Sequence, residues 1–440
     1  MRLPNMAARA DSLKRNCHEA EVTMKELHYD AVVIGAGAAG MAAALELDRA
    51  AFSTAIIERE DHLGGILMQC IHNGFGLHEF REELTGPEFA GRFIDQVAVS
   101  GIAVYLDTTV TSFISASPEK ELFGVSPQGV LHIHARAVIL AMGCRERNRG
   151  NVRIPGSRPA GVYTAGLAQR LVNIDGYIPG KEIVIIGSGD IGLIMARRMR
   201  WVGCEVKAVV EIMPYPSGLT RNIVQCLRDF GIPLFLSSQT TNIFGNDRVE
   251  GVEVTPMEGG VLVPEKKFRI DCDTVLLSVG LVPENELSRE AGVQLNGTTG
   301  GPQVDATLMT SVEGVFACGN VLHVHDLVDW VAEEARRAGI QAAAWLKGVR
   351  PGTQIRLKAG PNVRYVNPGK LNPQGENKIY LRSMIVKNDA VLELRLDNQV
   401  FKTIKQSHVQ PSEMINVTIS SDDMEKIRYS TESVMEFSVS

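Results

Sequence analysis

Two glycine-rich segments of the same pattern occur in the chain, and each is followed at nearly the same distance by a glutamate. Glu58 stands 23 positions after Gly35, and Glu211 stands 24 positions after Gly187. Glycines at this spacing let the backbone turn sharply and approach a diphosphate, and an acid at the end of the next strand accepts hydrogen bonds from ribose hydroxyls. Each segment therefore predicts a dinucleotide site. The two segments read Gly35-Ala36-Gly37-Ala38-Ala39-Gly40 and Gly187-Ser188-Gly189-Asp190-Ile191-Gly192.

Each glycine segment needs a strand before it and a helix after it. The β-prone runs 29–34 and 182–186 precede the two segments, and helical stretches to about Leu47 and Met199 follow them. Predicted strands 54–57 and 205–210 then lead to the two glutamates. A helix that starts directly after the glycines directs free N–H groups and a partial positive charge toward the diphosphate. Two such βαβ units predict two parallel, doubly wound sheets.

The rest of the chain completes a predicted domain plan. Apolar strands 137–141 and 274–279 lead to Gly143 and Gly280, and a helix is predicted over 326–346. Short alternating runs between 378 and 419 predict a β module, and the end from about Tyr429 is expected to be flexible. The fold class is thus α/β, with two interleaved Rossmann-like doubly wound domains and a small C-terminal β-rich domain. The expected ranges are 1–27 for a flexible arm, 28–155 and 286–350 for the first domain, 156–285 for the second and 351–440 for the last.

Composition excludes several classes of function. The net charge of −6, without a basic cluster, argues against a nucleic-acid partner. Seven scattered cysteines include no C-x-x-C pair, so we expect no metal site and reduced thiols in a cytoplasmic protein. The weakly polar run 31–45 is too short to span a membrane, although peripheral membrane contact stays open. Residues 1–23 are interpreted as a mobile arm or as sequence upstream of a start at Met24.

The order of these motifs resembles the pyridine nucleotide–disulfide oxidoreductase superfamily over residues 28–350. The resemblance implies FAD at the first glycine turn and a nicotinamide dinucleotide at the second. It also places the pair Gly319-Asn320, which follows Cys318, at the ribityl–phosphate part of FAD, with Asn320 where the family has Asp. The implied FAD contacts are Gly35, Ala36, Gly37, Ala38, Ala39, Gly40, Glu58, Arg59, Gly65, Val110, Gly143, Arg145, Gly319 and Asn320. The implied nicotinamide-dinucleotide contacts are Gly187, Ser188, Gly189, Asp190, Ile191, Gly192, Glu211 and Gly280.

The second site carries a clue to cofactor choice. Glu211 stands where the 2′-phosphate of NADP would have to lie, so NAD(H) is favoured over NADP(H). Lys207 and Arg221 are nearby cations that would offset part of this repulsion. Ile194 replaces the glutamate that the superfamily often places against the nicotinamide, which leaves productive docking of nicotinamide an open question.

The chain departs from the disulfide reductases of that superfamily. Those enzymes carry two cysteines in the segment that follows a Gly-Gly pair. Here Leu67 and His72 stand at the two positions, and Cys70 lies between them alone. We therefore expect no redox-active disulfide.

Three segments, 64–76, 143–147 and 319–326, resemble the accessory NAD/FAD oxidoreductases of glycerol-3-phosphate dehydrogenase-type complexes. Relatives form the dinucleotide-binding subunits of opine, amino-acid and hydroxyproline dehydrogenase complexes. The resemblance implies a hetero-oligomer in which this chain exchanges electrons with a flavoprotein dehydrogenase subunit. A flavin-binding assembly subunit without turnover of its own is the alternative from another class.

Five residues are candidates for a direct role at the flavin. His323, His325 and Asp326 open the late helix, whose N-terminus points at the flavin in the superfamily, and Cys70 and His72 stand where they could face the ring. Each has a simpler interpretation. The histidines could satisfy backbone groups, and Cys70 could be a small apolar filler. Arg145 and Arg147 have two interpretations as well: contact with FAD phosphates, or salt bridges at the seam between the domains.

Overall fold

The computed structural model describes residues 24–115, 118–425, 429–430 and 432–440. Most of the predicted N-terminal arm, residues 1–23, lies outside this range. Its last four residues do not behave as an arm, because the first strand already begins at Met24 and pairs with the strand Gly129–Leu140. The boundary expected at residue 27 is therefore wrong for the described part.

The first sheet has seven strands, and its parallel part carries the first glycine turn at its carboxyl edge. Residues 31–34 and 54–57 are buried throughout, as strands covered on both faces must be. Helices Ala38–Arg49, Gly86–Ala98 and Val328–Leu346 belong to the same core. Strand Val315–Ala317 pairs with Gly129–Leu140. The other strands follow in the spatial order Ala103–Tyr105, Thr54–Ile57, Met24–Ile34, Gly129–Leu140, Lys120–Ser126, Thr109–Ile114.

The second sheet is parallel throughout and carries the second glycine turn. Its strands follow in the spatial order Val162–Thr164, Thr274–Leu277, Glu182–Ile186, Glu205–Val210, Leu234–Phe235. Its helices are Ala165–Asn173, Asp190–Trp201 and Thr220–Cys226. An antiparallel sheet shares apolar core with it and consists of Ser238–Gly245, Val249–Glu258, Val261–Leu262 and Phe268–Asp271.

Short elements connect these parts. Strands Cys144–Glu146 and Leu281–Pro283 pair antiparallel. Along the chain, the first leads from the first sheet to the second, and the other leads back. Asn73–Phe75 pairs with Leu84–Thr85. Further short helices in this part of the chain are Gly65–Gln69, Arg149–Val152, Arg228–Phe230, Pro264–Lys266, Glu286–Glu290 and Gly319–Val321.

The C-terminal region forms two sheets around a common apolar core. The expectation of a flexible end from Tyr429 is wrong for residues 434–439. Strand Val434–Val439 lies inside the five-stranded sheet, with Met435, Phe437 and Val439 buried on alternate positions. The five strands follow in the order Lys370–Leu371, Ile355–Ala359, Val434–Val439, Lys387–Leu396, Gln399–Val409. The other sheet consists of Val363–Asn367, Asn377–Ser383 and Met414–Ile419, and a helix spans Ser421–Glu425.

The predicted fold class is confirmed. Strands 54–57, 182–186 and 205–210 have the predicted bounds, whereas the late helix begins at Val328 instead of 326. The domain ranges given above stay predictions, apart from the arm. Within the described ranges, no helix is both long and apolar enough to cross a membrane.

Candidate dinucleotide sites

The first glycine turn connects the strand Met24–Ile34 to the helix Ala38–Arg49. Gly35 has a φ of +102° and donates its N–H to Ile57 O at 2.8 Å. A side chain at this position would be strained, and its Cβ would lie 2.5 Å from the carbonyl oxygen of Ala141. At Gly40 a Cβ would lie 1.8 Å from the carbonyl oxygen of Gly35. The helix therefore approaches the strand as closely as glycine permits.

The predicted acid of the first site contacts its own turn. Glu58 is buried, and its Oε2 accepts a hydrogen bond from the N–H of Ala36 at 2.6 Å. Its Oε1 accepts one from the N–H of Glu60 at 3.0 Å. Each carboxylate oxygen keeps one further acceptor position, because an ionised carboxylate has about four in total. Glu58 is thus fixed at the turn and still able to accept ribose hydroxyls.

The start of the first glycine helix fits a diphosphate. Gly37 precedes the helix Ala38–Arg49, and no side chain in the described ranges caps its N-terminus. A Cβ at Gly37 would meet no described atom within 4 Å, so open space lies before the helix. Gly65 borders this space, since a Cβ there would lie 3.2 Å from the Cα of Gly37. These residues can hold a diphosphate by backbone N–H groups.

The second glycine turn repeats this geometry. The N–H of Gly187 donates to Val210 O at 2.8 Å, as Gly35 does to Ile57 O. Gly192 lies against Ser278, whose Oγ accepts the N–H of Gly192 at 3.1 Å. The N–H of Ser188 donates to Glu211 Oε2 at 2.9 Å, as Ala36 does to Glu58. The two units are therefore alike in turn, strand and acid.

The acid of the second site has more partners than Glu58. Ser188 Oγ donates to Glu211 Oε2 at 2.5 Å, Ser217 Oγ lies 3.2 Å from the same oxygen, and the N–H of Met213 donates to Oε1 at 2.9 Å. Asp190, in the first turn of the following helix, accepts hydrogen bonds from Leu219 and Asn222. Burial raises the pKa of Asp190 above its ordinary value. A dinucleotide at this site would share these acceptors with the chain's own polar groups.

Two cations near the second acid in sequence differ in their contacts: Lys207 is held in ion pairs, whereas Arg221 acts electrostatically on Asp190 of the second site. Lys207 pairs with Glu182 and Glu205 at 2.8 Å each, at the amino end of the sheet. Arg221 lies against Gly74, where an added Cβ would be 2.9 Å from a guanidinium nitrogen. Gly74 and Arg221 also border a cavity of about 380 Å³, which Leu327 and Glu413 line from two other parts of the chain.

Gly319 and Asn320 lie beside the first glycine helix. A Cβ at Gly319 would be 2.9 Å from the Cβ of Ala39. Asn320 Oδ1 accepts the N–H of His325 at 3.0 Å, and the amide contacts the thiol of Cys144. The structure therefore brings this late segment to the first turn.

His323 and His325 form a buried cluster with Glu334. His323 Nε2 lies 3.0 Å from Glu334 Oε2, and His325 Nε2 lies 3.2 Å from Glu334 Oε1. Burial lowers the pKa of His323 to about 4. Burial alone would raise the pKa of Glu334, but the imidazoles of His325 and His323 hold it below its usual range. Glu334 was not among the residues predicted from the sequence, although a glutamate in the apolar stripe of a helix is a recognisable signal.

Asp326 contacts the C-terminal module, here the residues 351–440. Its Oδ1 pairs with Arg382, its Oδ2 accepts the N–H of Met414 at 2.6 Å, and Arg382 also donates to Val324 O at 3.0 Å. Tyr365 of the same module lies 3.4 Å from His323 Nδ1. The module therefore packs directly on the segment that the sequence assigns to the flavin.

Cys70 and His72 occupy different surroundings. Cys70 Sγ is buried and lies 3.3 Å from Ile66 O, and burial raises the pKa of its thiol to about 12. His72 is half-buried beside Phe75, and burial lowers the pKa of its imidazole. Gln69, the residue before Cys70, donates to Gly166 O at 2.9 Å and so connects this segment to the helix Ala165–Asn173 beside the second sheet. The surroundings of Cys70 favour the filler interpretation.

The remaining predicted contacts are more exposed. Arg145 is half-exposed and pairs with Glu284 at 2.5 Å and Glu286 at 2.6 Å, which favours the salt bridge at the seam over a phosphate contact. Arg59 is exposed, and Val110 is a half-buried residue of the strand Thr109–Ile114.

Comparisons with known proteins assign the family. The family model described as "Pyridine nucleotide-disulphide oxidoreductase" matches residues 29–344. The chain is 30% identical over 348 residues to the glutamate synthase [NADPH] small chain of Mycobacterium tuberculosis, covering 72% of this chain and 66% of the relative. It is 26% identical over 319 residues to an opine oxidase subunit of Agrobacterium tumefaciens, covering 66% of this chain and 61% of the relative.

A solved structure agrees with these matches. Thioredoxin reductase of T. acidophilum aligns with a TM-score of 0.59 at 25% identity, over 72% of this chain and 98% of that one. The chain spans less than two thirds of the length of the two curated relatives above. FAD with NAD(P) is the typical cofactor pair of the family. The chain belongs to the pyridine nucleotide–disulphide oxidoreductase family of flavoproteins.

Proposed function

We propose that this chain binds FAD at the first glycine turn and NAD(H) at the second, and that it transfers reducing equivalents between them. One observation carries the proposal: Glu58 and Glu211 each accept the N–H of the second residue of their own turn, at 2.6 and 2.9 Å. FAD, when bound, supplies the redox chemistry, while the protein binds and orients both dinucleotides. Gly319 supports the first site because it reaches the glycine helix from a distant part of the chain.

The preference for NAD(H) over NADP(H) rests on charge. Glu211 is buried, and a 2′-phosphate beside it would meet a carboxylate. Lys207 pairs with two other glutamates, so it does not offset that repulsion in this conformation, whereas Arg221 acts on Asp190 of this site and would offset part of it. The glutamate synthase relative is named for NADPH, which makes a direct comparison of NADH and NADPH the decisive measurement.

The proposed partner is a flavoprotein dehydrogenase subunit of the glycerol-3-phosphate dehydrogenase type. Support for a hetero-oligomer comes from the names of the two relatives, which describe one as a small chain and the other as one subunit of an oxidase. The apolar side chains of Ile174, Tyr177 and Ile178 are at least half exposed in one surface segment, as expected of a contact surface. Six free thiols in the described part of the chain fit the proposed cytoplasmic location.

An opine, amino-acid or hydroxyproline dehydrogenase complex is the second candidate, favoured by the match to the opine oxidase subunit. Purified, flavin-loaded chain would be mixed with a candidate partner subunit and NAD⁺, and the reduction of NAD⁺ to NADH would be followed after adding glycerol 3-phosphate or an opine. NADH formation with glycerol 3-phosphate alone supports the first assignment. NADH formation with the opine alone supports the opine, amino-acid or hydroxyproline dehydrogenase complex instead.

A flavin-binding assembly subunit without turnover is the alternative from another class. Ser188 and Ser217 already contact Glu211, and Ile194 stands at the position of the family's glutamate. Anaerobic mixing of the flavin-loaded chain with NADH separates the two proposals. Bleaching of the flavin absorbance within seconds supports the oxidoreductase, whereas a stable flavin spectrum supports the assembly role.

A further inference from the structure

The exposed face of the first sheet carries three histidines and three glutamates from neighbouring strands. Successive side chains of a strand point to opposite faces, so residues two apart share a face. The register pairs Glu26 with His132 and His28 with His134, and it pairs Glu121 with His134. The cluster consists of Glu26 and His28, His132 and His134, and Glu119 and Glu121, the last pair in and just before the strand Lys120–Ser126.

Three of these side chains have the spacing of metal ligands. Glu26 Oε1 lies 3.1 Å from His134 Nε2 and 4.0 Å from His132 Nδ1, and the ligand atoms of all three lie within 4.8 Å of one another. Zinc ligands about 2.0–2.1 Å from the ion in tetrahedral geometry are about 3.3 Å apart. Glu26 Oε1 already lies near that spacing from His134 Nε2, and a small movement of the exposed Glu26 side chain would bring it to the same spacing from His132 Nδ1.

The other ring nitrogens fit this interpretation. His132 Nε2 lies 3.0 Å from Glu121 Oε2, the carboxylate contact that typically orients a metal-binding histidine. His134 Nδ1 is buried and, among the described residues, has no hydrogen-bond partner. It lies 3.9 Å from Glu119 Oε2.

Aromatic packing fixes the two rings. His132 stacks on Phe123 at 4.4 Å, and His134 stacks on His28 at 4.7 Å. The side chains of His132 and His134 are only 15% and 13% exposed, whereas that of Glu26 is 63% exposed. An ion would therefore be held on the sheet by fixed imidazoles and keep one side open to water.

We propose that Glu26, His132 and His134 bind a divalent transition-metal ion such as Zn²⁺, with Glu121 as a positioning residue. The site differs from both dinucleotide sites. His28 precedes Ile34 by six residues in the same strand, which is roughly 20 Å from the carboxyl edge where the first glycine turn lies. The expectation of no metal came from the absence of cysteine pairs in the sequence, whereas this site depends on pairing between strands.

The test is a titration of untagged full-length chain with ZnCl₂ after treatment with a chelator, read by calorimetry and by metal content after gel filtration. We expect one Zn²⁺ per chain. His134→Ala and His132→Ala should each weaken binding at least about tenfold, with an unchanged flavin-to-protein ratio. His62→Ala is the matched control, since His62 is an exposed histidine beside a single carboxylate, Asp61.

Glu121→Gln tests the positioning role. It should weaken Zn²⁺ binding while leaving the melting temperature of the metal-free protein unchanged. Absence of Zn²⁺ binding, or equal affinity in wild type and His134→Ala, would overturn the proposal. Undiminished zinc content of His134→Ala after gel filtration would also overturn the proposal. The ion would then be assigned to the buried cluster of His323, His325 and Glu334. Circular dichroism of each variant shows whether it folds.

Discussion

Glu334 accepts a hydrogen bond from the backbone N–H of Gly319 at 2.7 Å. The same buried carboxylate contacts the imidazoles of His323 and His325. One side chain of the late helix therefore holds both the turn that reaches the first glycine helix and the two histidines predicted to lie at the flavin. This makes Glu334 a support of the first site, although the sequence alone did not predict it.

Removing this support should destabilise the protein. Glu334→Ala leaves three buried donors without their acceptor, and we expect a loss of about 3 kcal/mol in the free energy of unfolding together with weaker flavin retention. Glu333→Ala on the same helix removes only a partly exposed pair with Lys378 and should cost less than about 1 kcal/mol. Chemical denaturation and the flavin-to-protein ratio measure both effects. Equal stability of the two variants would contradict the role of Glu334.

Stability should fall as the pH is lowered from about 6.5 toward 4. Burial lowers the pKa of His323 to about 4, so the unfolded chain binds a proton in this window that the folded chain does not bind. The folded pKa of Glu334 is also depressed, and the stability that it contributes is lost at still lower pH. For His323 alone the loss is on the order of 3 kcal/mol. Denaturation at a series of pH values should show a flatter profile for His323→Gln, and an identical profile would contradict this assignment.

Substitutions of Glu58 and Glu211 should weaken the binding of different cofactors. Glu58→Ala should reduce bound flavin, whereas Glu211→Ala should retain flavin and weaken NADH binding about tenfold or more, equivalent to at least about 1.4 kcal/mol. Flavin absorbance per chain and calorimetric titration with NADH measure the two quantities. Each variant is the control for the other. Equal loss of flavin in both would contradict the assignment of the sites.

Cys70 should be unreactive in the folded protein. Because burial raises the pKa of its thiol to about 12, its thiolate fraction at pH 8 should be roughly a thousandfold below that of an ordinary cysteine. Labelling with iodoacetamide, followed by peptide mass spectrometry, should modify Cys70 only after denaturation. Rapid labelling of the native chain would instead support a redox role.

The C-terminal module should be energetically coupled to the segment 319–326, which is predicted to lie at the flavin, through the pair of Asp326 and Arg382. Their part-buried pair predicts a coupling energy of about 1–3 kcal/mol in a double-mutant cycle with Asp326→Asn and Arg382→Gln. Thermal or chemical unfolding of the four proteins measures it. The exposed pair Lys266–Glu258 is the control and should give a coupling near zero. Additive effects of the first pair would mean that the module does not support this segment.

The sequence by itself determined the two dinucleotide units. Strand, glycine turn, helix and acid lie within about 25 residues in each, and their geometry follows from local backbone requirements. The strands leading to Glu58 and Glu211 were therefore predicted with the bounds that the structure has. The helix at 328–346 and the last strand were predicted less well, because their limits depend on contacts with distant parts of the chain.

Only the tertiary structure decided which distant side chains meet. Glu334 joins His323 and His325, Asp326 joins Arg382, and Glu26 joins His132 and His134. Packing between helix and sheet makes the first contact, docking of the C-terminal module the second, and strand register the third. The hydrophobic periodicity and short motifs of a single sequence do not predict these pairings, because each pairing depends on how separate elements pack in three dimensions.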